Sequence, residues 1–177
     1  MKQIEIYTDG SCLKNPGGPG GWAAILLYKG HHKEIFGSDS STTNNRMELM
    51  AIIKGLEELK EPCLVTIYSD SQYAINGMTK WLKNWIKKKF AGVKNKELWE
   101  MLSKASEQHT VNYKWVKGHA NNEYNNLADE IANKAARSVV LTVDSKNIKN
   151  SSVEIKCQHC NYDMTKVLNF AVHVAKN

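Results

Sequence analysis

The strongest constraint on the fold is a change of hydrophobic period near residue 43. Before it the chain alternates. Ile4, Ile6 and Thr8 face one way and Glu5, Tyr7 and Asp9 the other, which predicts a strand over 3–9. A glycine-proline loop, Asn15 to Gly21, separates it from a second strand over 22–28. Lys29 to His32 turn into a third strand over 33–39, so the opening is an antiparallel meander. After residue 43 the period becomes helical. Leu49, Ile52, Ile53 and Leu56 recur at i, i+3, i+4 and i+7, predicting an amphipathic helix over 43–60 that Glu61-Pro62 stops. Leu64 to Tyr68 is a short β-branched run, a buried strand. Helices are predicted over 71–79, 81–89, 95–107 and 124–138, and a strand over 110–116. Strands that alternate with helices need parallel crossovers, here joined to an antiparallel start. The fold class is α/β: a mixed sheet with helices on both faces.

Length allows one compact domain with an appendage. The division expected is a catalytic domain over 1–143, a polar linker over 144–152 (DSKNIKNSS) and a small extension over 153–177. A chain of 177 residues with 42% hydrophobic residues can bury a core without disulfides. No run approaches the ~18 apolar residues of a membrane span, and MKQIEIYTDG has no signal-peptide apolar core. The expectation is a soluble cytoplasmic protein, monomeric by default, without a small-molecule cofactor. Cys12 and Cys63 read as buried thiols.

The formal net charge is +6. Seven lysines and no acid lie between Lys80 and Lys96, so this stretch carries more than the whole net charge. A local basic patch points to a phosphate-bearing partner.

Four acids are candidates for chemistry, and each has a plain structural alternative. Asp9 before Gly10 can be a turn residue. Glu48 can close a capping box with Asn45. Asp70 can cap a helix, and Asp129 can sit in a first helical turn. Together they read differently. Asp9 and Asp70 end two strands expected to be neighbours, and Glu48 projects from the helix between them. Sites in open α/β sheets form outside the carboxyl ends of strands. Two unit charges ~4 Å apart repel by about 4 kcal/mol at an effective dielectric of 20. A converging cluster therefore keeps protons or takes cations. Oxygen-only ligands select Mg²⁺ or Mn²⁺ over zinc, and two such ions can hold the attacking and leaving oxygens of a phosphodiester.

The local strings then become specific. Tyr7-Thr8-Asp9-Gly10-Ser11-Cys12, Thr42-Thr43-Asn44-Asn45-Arg46-Met47-Glu48-Leu49, Ser69-Asp70-Ser71-Gln72-Tyr73 and Val116-Lys117-Gly118-His119-Ala120 occur in order, with Asp129 ten residues after the histidine. Over about residues 1–140 the chain resembles the type 1 ribonuclease H family. The resemblance implies a ribonuclease H-like fold with a five-stranded mixed sheet. It implies endonucleolytic cleavage of the RNA strand of RNA–DNA hybrids by two Mg²⁺ ions, with Mn²⁺ as a substitute, leaving 5′-phosphate and 3′-hydroxyl ends. By this resemblance Asp9 bridges both metal ions, Glu48 and Asp70 hold the one that activates water, and Asp129 holds the other. His119 takes a proton-shuttle or product-release role, which an ordinary pKa of ~6.5 suits.

Recognition of RNA requires sensing the 2′-hydroxyl. The resemblance assigns Asn15, Asn44 and Gln72 to substrate contacts and places Thr43 and Asn95 at a DNA-strand phosphate. Ser41 stands where relatives often carry arginine. Trp81 and Trp85 lie one helical turn apart among Lys80, Lys83, Lys87, Lys88 and Lys89, a pattern similar to the family's basic protrusion. Lysines without an arginine fork suit phosphate tracking rather than base reading. In the tail, Cys157-Gln158-His159-Cys160 with His173 is a poor zinc set, because no second CxxC completes four ligands; reduced thiols are expected. Three other readings stay open at this level: a resolvase, transposase or exonuclease relative, a non-catalytic binder of the same fold, and a reverse-transcriptase fragment.

Overall fold

The computed structural model describes residues 1–118 and 122–148, with side chains described as far as Val139. Met1–Val140 is one compact unit, and the helical residues beyond it belong to a second.

Strand β1 (Lys2–Cys12) is the centre of a five-stranded sheet. β2 (Gly20–Tyr28) pairs antiparallel with it, and β3 (His31–Asp39) pairs antiparallel with β2. On its other side β1 pairs parallel with β4 (Cys63–Ser69), which pairs parallel with β5 (Thr110–Trp115). The order β3-β2-β1-β4-β5 is the expected meander joined to parallel crossovers. Register is decided by the pleat. Ile4 and Ile6 pair with Val65 and Ile67, and all four are buried on one face. A one-residue slip would turn them all outward.

Helix α1 (Asn44–Glu57) covers that face with Leu49, Ile52, Ile53 and Leu56, each 0% exposed. Burial of four such side chains contributes on the order of 6–12 kcal/mol of gross free energy. α1 is thus held firmly on the sheet, and so is the turn that bears Glu48. Helix α4 (Lys96–Ser106) adds Leu98, Trp99 and Leu102 to the same core. The part of helix α5 (Glu123–Ile148) within this first unit lies on the opposite face, where Tyr124 meets Tyr7 and the α5 backbone passes Gly21 of β2.

Two expectations change in detail. The two helices expected over 71–79 and 81–89 are one winding: α2 (Gln72–Asn76), a π-helical turn (Gly77–Trp81) and α3 (Leu82–Lys87). The Leu82 N–H reaches back to the carbonyl of Gly77, and Thr79 Oγ1 donates to the carbonyl of Ile75 at 2.7 Å. A hydroxyl competing for a helical carbonyl is one cause of such wide turns. The last helix also outruns its expected end at 138, so residues 144–148 of the expected linker are helical. Cys63 is buried, whereas Cys12 is half-buried. Residues 149–177, with Cys157, His159, Cys160 and His173, lie outside the described residues, as does His119. No helix among the described residues is long and apolar enough to cross a membrane.

Candidate active site

The parallel pairing of β1 with β4 runs up to Thr8 opposite Ser69. The next residues are both acids, Asp9 in β1 and Asp70 directly after β4, at the carboxyl edge of the sheet. Asp9 shares the pleat face of Tyr7, and Gly10 turns to the face of Ile6 and Thr8. There α1 presses so close that a Cβ on Gly10 would stand only 2.2 Å from the Glu48 backbone nitrogen and 2.4 Å from the Met47 carbonyl carbon. The glycine lets Glu48 stand next to Asp9. Asp129 comes from α5, on the other face. Asp129 reaches hydrogen-bond range of Asp9.

The bland alternatives for Glu48, Asp70 and Asp129 do not hold. Thr43, not Asn45, caps α1, its side chain accepting from the Arg46 N–H. Glu48 instead accepts from Asn44 Nδ2 at 2.8 Å and from the Ser71 hydroxyl. Ser71, not Asp70, caps α2 by accepting from the Ala74 N–H. Asp129 lies six residues into α5, beyond the first turn. None of the three is placed where local helix chemistry needs an acid.

Electrostatics carries the mark of crowding. Asp9 is 8% exposed. Burial, then the negative charge of Asp70 and that of Asp129, push its pKa from 3.8 up to about 8, against one stabilising hydrogen bond from the Gly10 N–H at 2.8 Å. Glu48 is also raised, chiefly by burial and further by Asp70, while its bonds from Ser71 and Asn44 pull the other way. As the side chains stand, no three acids, histidines or cysteines among the described residues enclose an ion-sized point. Glu48 is turned toward Ser71 and Asn44. The donor set nonetheless suits a hard divalent cation: carboxylate oxygens only, mutually repelling and partly desolvated.

The other predicted residues fall around this edge. Asn15 Oδ1 accepts from the Asn44 N–H at 3.2 Å, which joins the glycine-proline loop to α1. Gln72 lines a surface cavity of about 280 Å³ with Ile75, Asn76, Lys80 and Trp115. Asn95 adopts a left-handed backbone ahead of α4, and its amide lies 3.4 Å from both Arg46 and the Tyr73 hydroxyl. Arg46 also pairs with Glu97 at 2.5 Å. It thus spans Thr43 and Asn95, a role the sequence reading missed. Trp85 packs between Trp81 and Trp99 with its ring tilted against both, so these aromatics fasten the basic helix to the core. Lys83, Lys87 and Lys88 are exposed. Trp115, overlooked in the sequence, donates from Nε1 to the Asp70 carbonyl at 3.0 Å.

A β3-β2-β1-β4-β5 sheet with acids at its carboxyl edge is the ribonuclease H-like fold, and solved structures of similar shape include ribonucleases H. LC9-RNase H1, described as a type 1 RNase H with the type 2 active-site motif, matches with a TM-score of 0.73 at 30% identity, covering 78% of this chain and 74% of that one. LC11-RNase H1 in complex with RNA/DNA hybrid matches in fold with a TM-score of 0.60 at 23% identity, covering 77% and 99%.

The family model for RNase H matches residues 1–137. The chain is 54% identical over 138 residues to the Ribonuclease H of Hahella chejuensis, covering 75% of this chain and 93% of that protein. It is 52% identical over 145 residues to the Ribonuclease HI of Haemophilus influenzae, covering 79% and 94%. The chain belongs to the ribonuclease H family, as a nuclease of the bacterial ribonuclease HI type.

Proposed function

We propose that this chain is an endonuclease that hydrolyses the RNA strand of RNA–DNA hybrids, leaving 5′-phosphate and 3′-hydroxyl ends. The observation that carries the reading is the meeting of Asp9, Glu48, Asp70 and Asp129, with Asp9 driven up to about 8 by burial and its acidic neighbours. Asp9, central in the cluster, would serve two Mg²⁺ ions, or Mn²⁺ in their place, with Glu48 and Asp70 holding one and Asp129 the other. Bound there, the ions would lower the pKa of the attacking water and neutralise charge developing on the phosphate.

The chain's own groups do the rest. Ser71 and Asn44 keep Glu48 oriented and favour its ionised form. The Asn44 amide nitrogen is used on Glu48 and the Asn15 oxygen on Asn44, which leaves Asn15 Nδ2 and Asn44 Oδ1 for substrate. A donor beside an acceptor matches a 2′-hydroxyl, which is both. Gln72 adds a third amide. Thr43 and Asn95, bridged by Arg46, form a phosphate grip on the DNA strand. His119 is assigned to proton transfer or product release. Residues 1–143 form the catalytic domain in this reading, acting as a monomer, and 153–177 are an addition to it.

A hybrid labelled on either strand, incubated in Mg²⁺ beside DNA duplex and four-way junction, should lose only the RNA label. Cleavage of duplex or junction with the hybrid intact would sink the proposal. The exposed lysines supply a separate prediction. Replacing Lys83, Lys87 and Lys88 together by alanine should raise the KM for hybrid about tenfold or more at low salt with little change in kcat. The slope of log affinity against log salt should become shallower by about one for each phosphate that a lysine no longer neutralises. An unchanged slope would place the hybrid elsewhere.

A further inference from the structure

Asp129 is the acid whose place is hardest to fix, because it comes from a helix on the far face of the sheet. One side chain ties it down. Asn133 follows Asp129 by four residues, on the same face of α5. Its Nδ2 donates to Asp129 Oδ1 at 2.8 Å and to the Asp129 carbonyl at 3.0 Å. Its Oδ1 accepts from the Ser11 hydroxyl at 2.8 Å. The amide has one sensible orientation. A carboxylate and a carbonyl only accept, so the NH₂ must face them and the oxygen must face the hydroxyl.

Ser11 is two residues beyond Asp9 on β1, so both side chains leave the same face of the strand. The chain Ser11–Asn133–Asp129 therefore links the strand that bears Asp9 to the helix that bears Asp129. The short span is itself built in. Ser11 pairs with Gly21 on β2. A Cβ on Gly21 would stand 2.5 Å from the Ala136 nitrogen and 2.8 Å from Ala135 Cβ. The glycine lets α5 approach the sheet closely enough for one amide to bridge the gap.

We propose that Asn133 is a positioning residue: through Ser11 it fixes Asp129 relative to Asp9, and so sets the affinity of the ion that these two carboxylates share. It holds Oδ1, leaving Oδ2 as the oxygen of Asp129 that Asn133 does not engage. Partners that orient a ligating carboxylate typically change metal affinity about 10–100-fold when removed. The inference rests on the metal-binding reading above, but does not require that the substrate be a hybrid.

The test is calorimetric titration of Mn²⁺ into the full chain, with the Mg²⁺ dependence of cleavage as the second readout. Asn133→Ala and Ser11→Ala should each weaken one of two binding events about tenfold and shift half-maximal Mg²⁺ upward by a similar factor, with KM for substrate unchanged. Ser11→Thr, which keeps the hydroxyl, should stay near wild type. In an Asp129→Asn background, adding Asn133→Ala should change metal affinity no further, because the group it positions is already gone. Circular dichroism checks that each variant is folded, and Ser11→Ala keeps the test open if Asn133→Ala is not. Unchanged Mn²⁺ affinity in either folded alanine variant would overturn the proposal. So would an equal loss in the Asp129→Asn background. Failure of the wild type to bind any divalent ion would instead overturn the metal reading on which it rests.

Discussion

Asp9→Asn is expected to slow cleavage at least about a thousandfold and, in the absence of metal, to raise thermal stability. The two effects have one cause. Asp9 is the buried centre of the cluster, flanked by Asp70 and Asp129. Asparagine keeps the shape and removes the charge. Loss of a group that stabilises developing charge typically costs about 4 kcal/mol of barrier, or roughly 10³ in rate. The same charge opposes folding when no cation is present.

The sign follows from the proton balance. In the folded chain burial first and then Asp70 push the pKa of Asp9 up to about 8, against 3.8 for the free group. Between those values the folded chain holds a proton that the unfolded chain has released. Wild-type stability without metal should therefore fall as pH rises from about 4 to about 8. Asparagine cannot ionise, so the variant should lack that contribution to the slope. If relief amounts to about 1–2 kcal/mol, the thermal midpoint rises by roughly 2–8 °C above about pH 8 and hardly at all near about pH 4. Melts at both pH values in EDTA check this, and added Mn²⁺ should stabilise wild type more than the variant. A variant that retains activity, or a metal-free midpoint lower than wild type at high pH, would contradict the assignment of Asp9.

Gly10→Ala should be the most damaging change of a single methyl group. The added carbon would fall on the backbone of Glu48 and Met47, not on the end of a flexible side chain. Nothing soft is available to move. Either β1 twists or α1 lifts from the sheet, against the buried Leu49, Ile52, Ile53 and Leu56. Overpacking of this kind costs about 3 kcal/mol or more, a fall of roughly 6–12 °C in midpoint. Activity should drop further than stability explains, because the displaced backbone carries Glu48 away from Asp9. Denaturant unfolding and cleavage rates, measured well below the variant's midpoint, separate the two effects. A variant with normal stability and normal rate would show that the close approach is not required.

Much of the site was legible in the sequence. The period-two and period-3.6 segments put Asp9 and Asp70 at strand ends and Glu48 on the intervening helix; the structure keeps Glu48 in α1 and Asp70 directly after β4, but β1 runs on to Cys12, so Asp9 lies inside its strand. Asp129 was legible only through its spacing from the histidine string. The alternatives lost for a local reason: Thr43 and Ser71 supply the caps in place of Asn45 and Asp70. Arg46 was missed because its role lies in reaching Asn95 across 49 positions, which no local pattern reveals. Asn133 was missed for the same reason, since its partner Ser11 is 122 positions away.

The sequence by itself determined the order of strands and helices, the antiparallel start and the basic helix, and it singled out the four acids as candidates. These depend on periodicity and on short strings, which are properties of neighbouring residues. Only the tertiary structure decided which strands pair and which groups bridge the sheet. It also decided that Asp9 is desolvated among acids, because burial and like-charge repulsion depend on distances between segments far apart in the chain. The period switch near residue 43 marks where the acid-bearing helix begins, and close packing at Gly10 and Gly21 brings helices from both faces to one edge of the sheet.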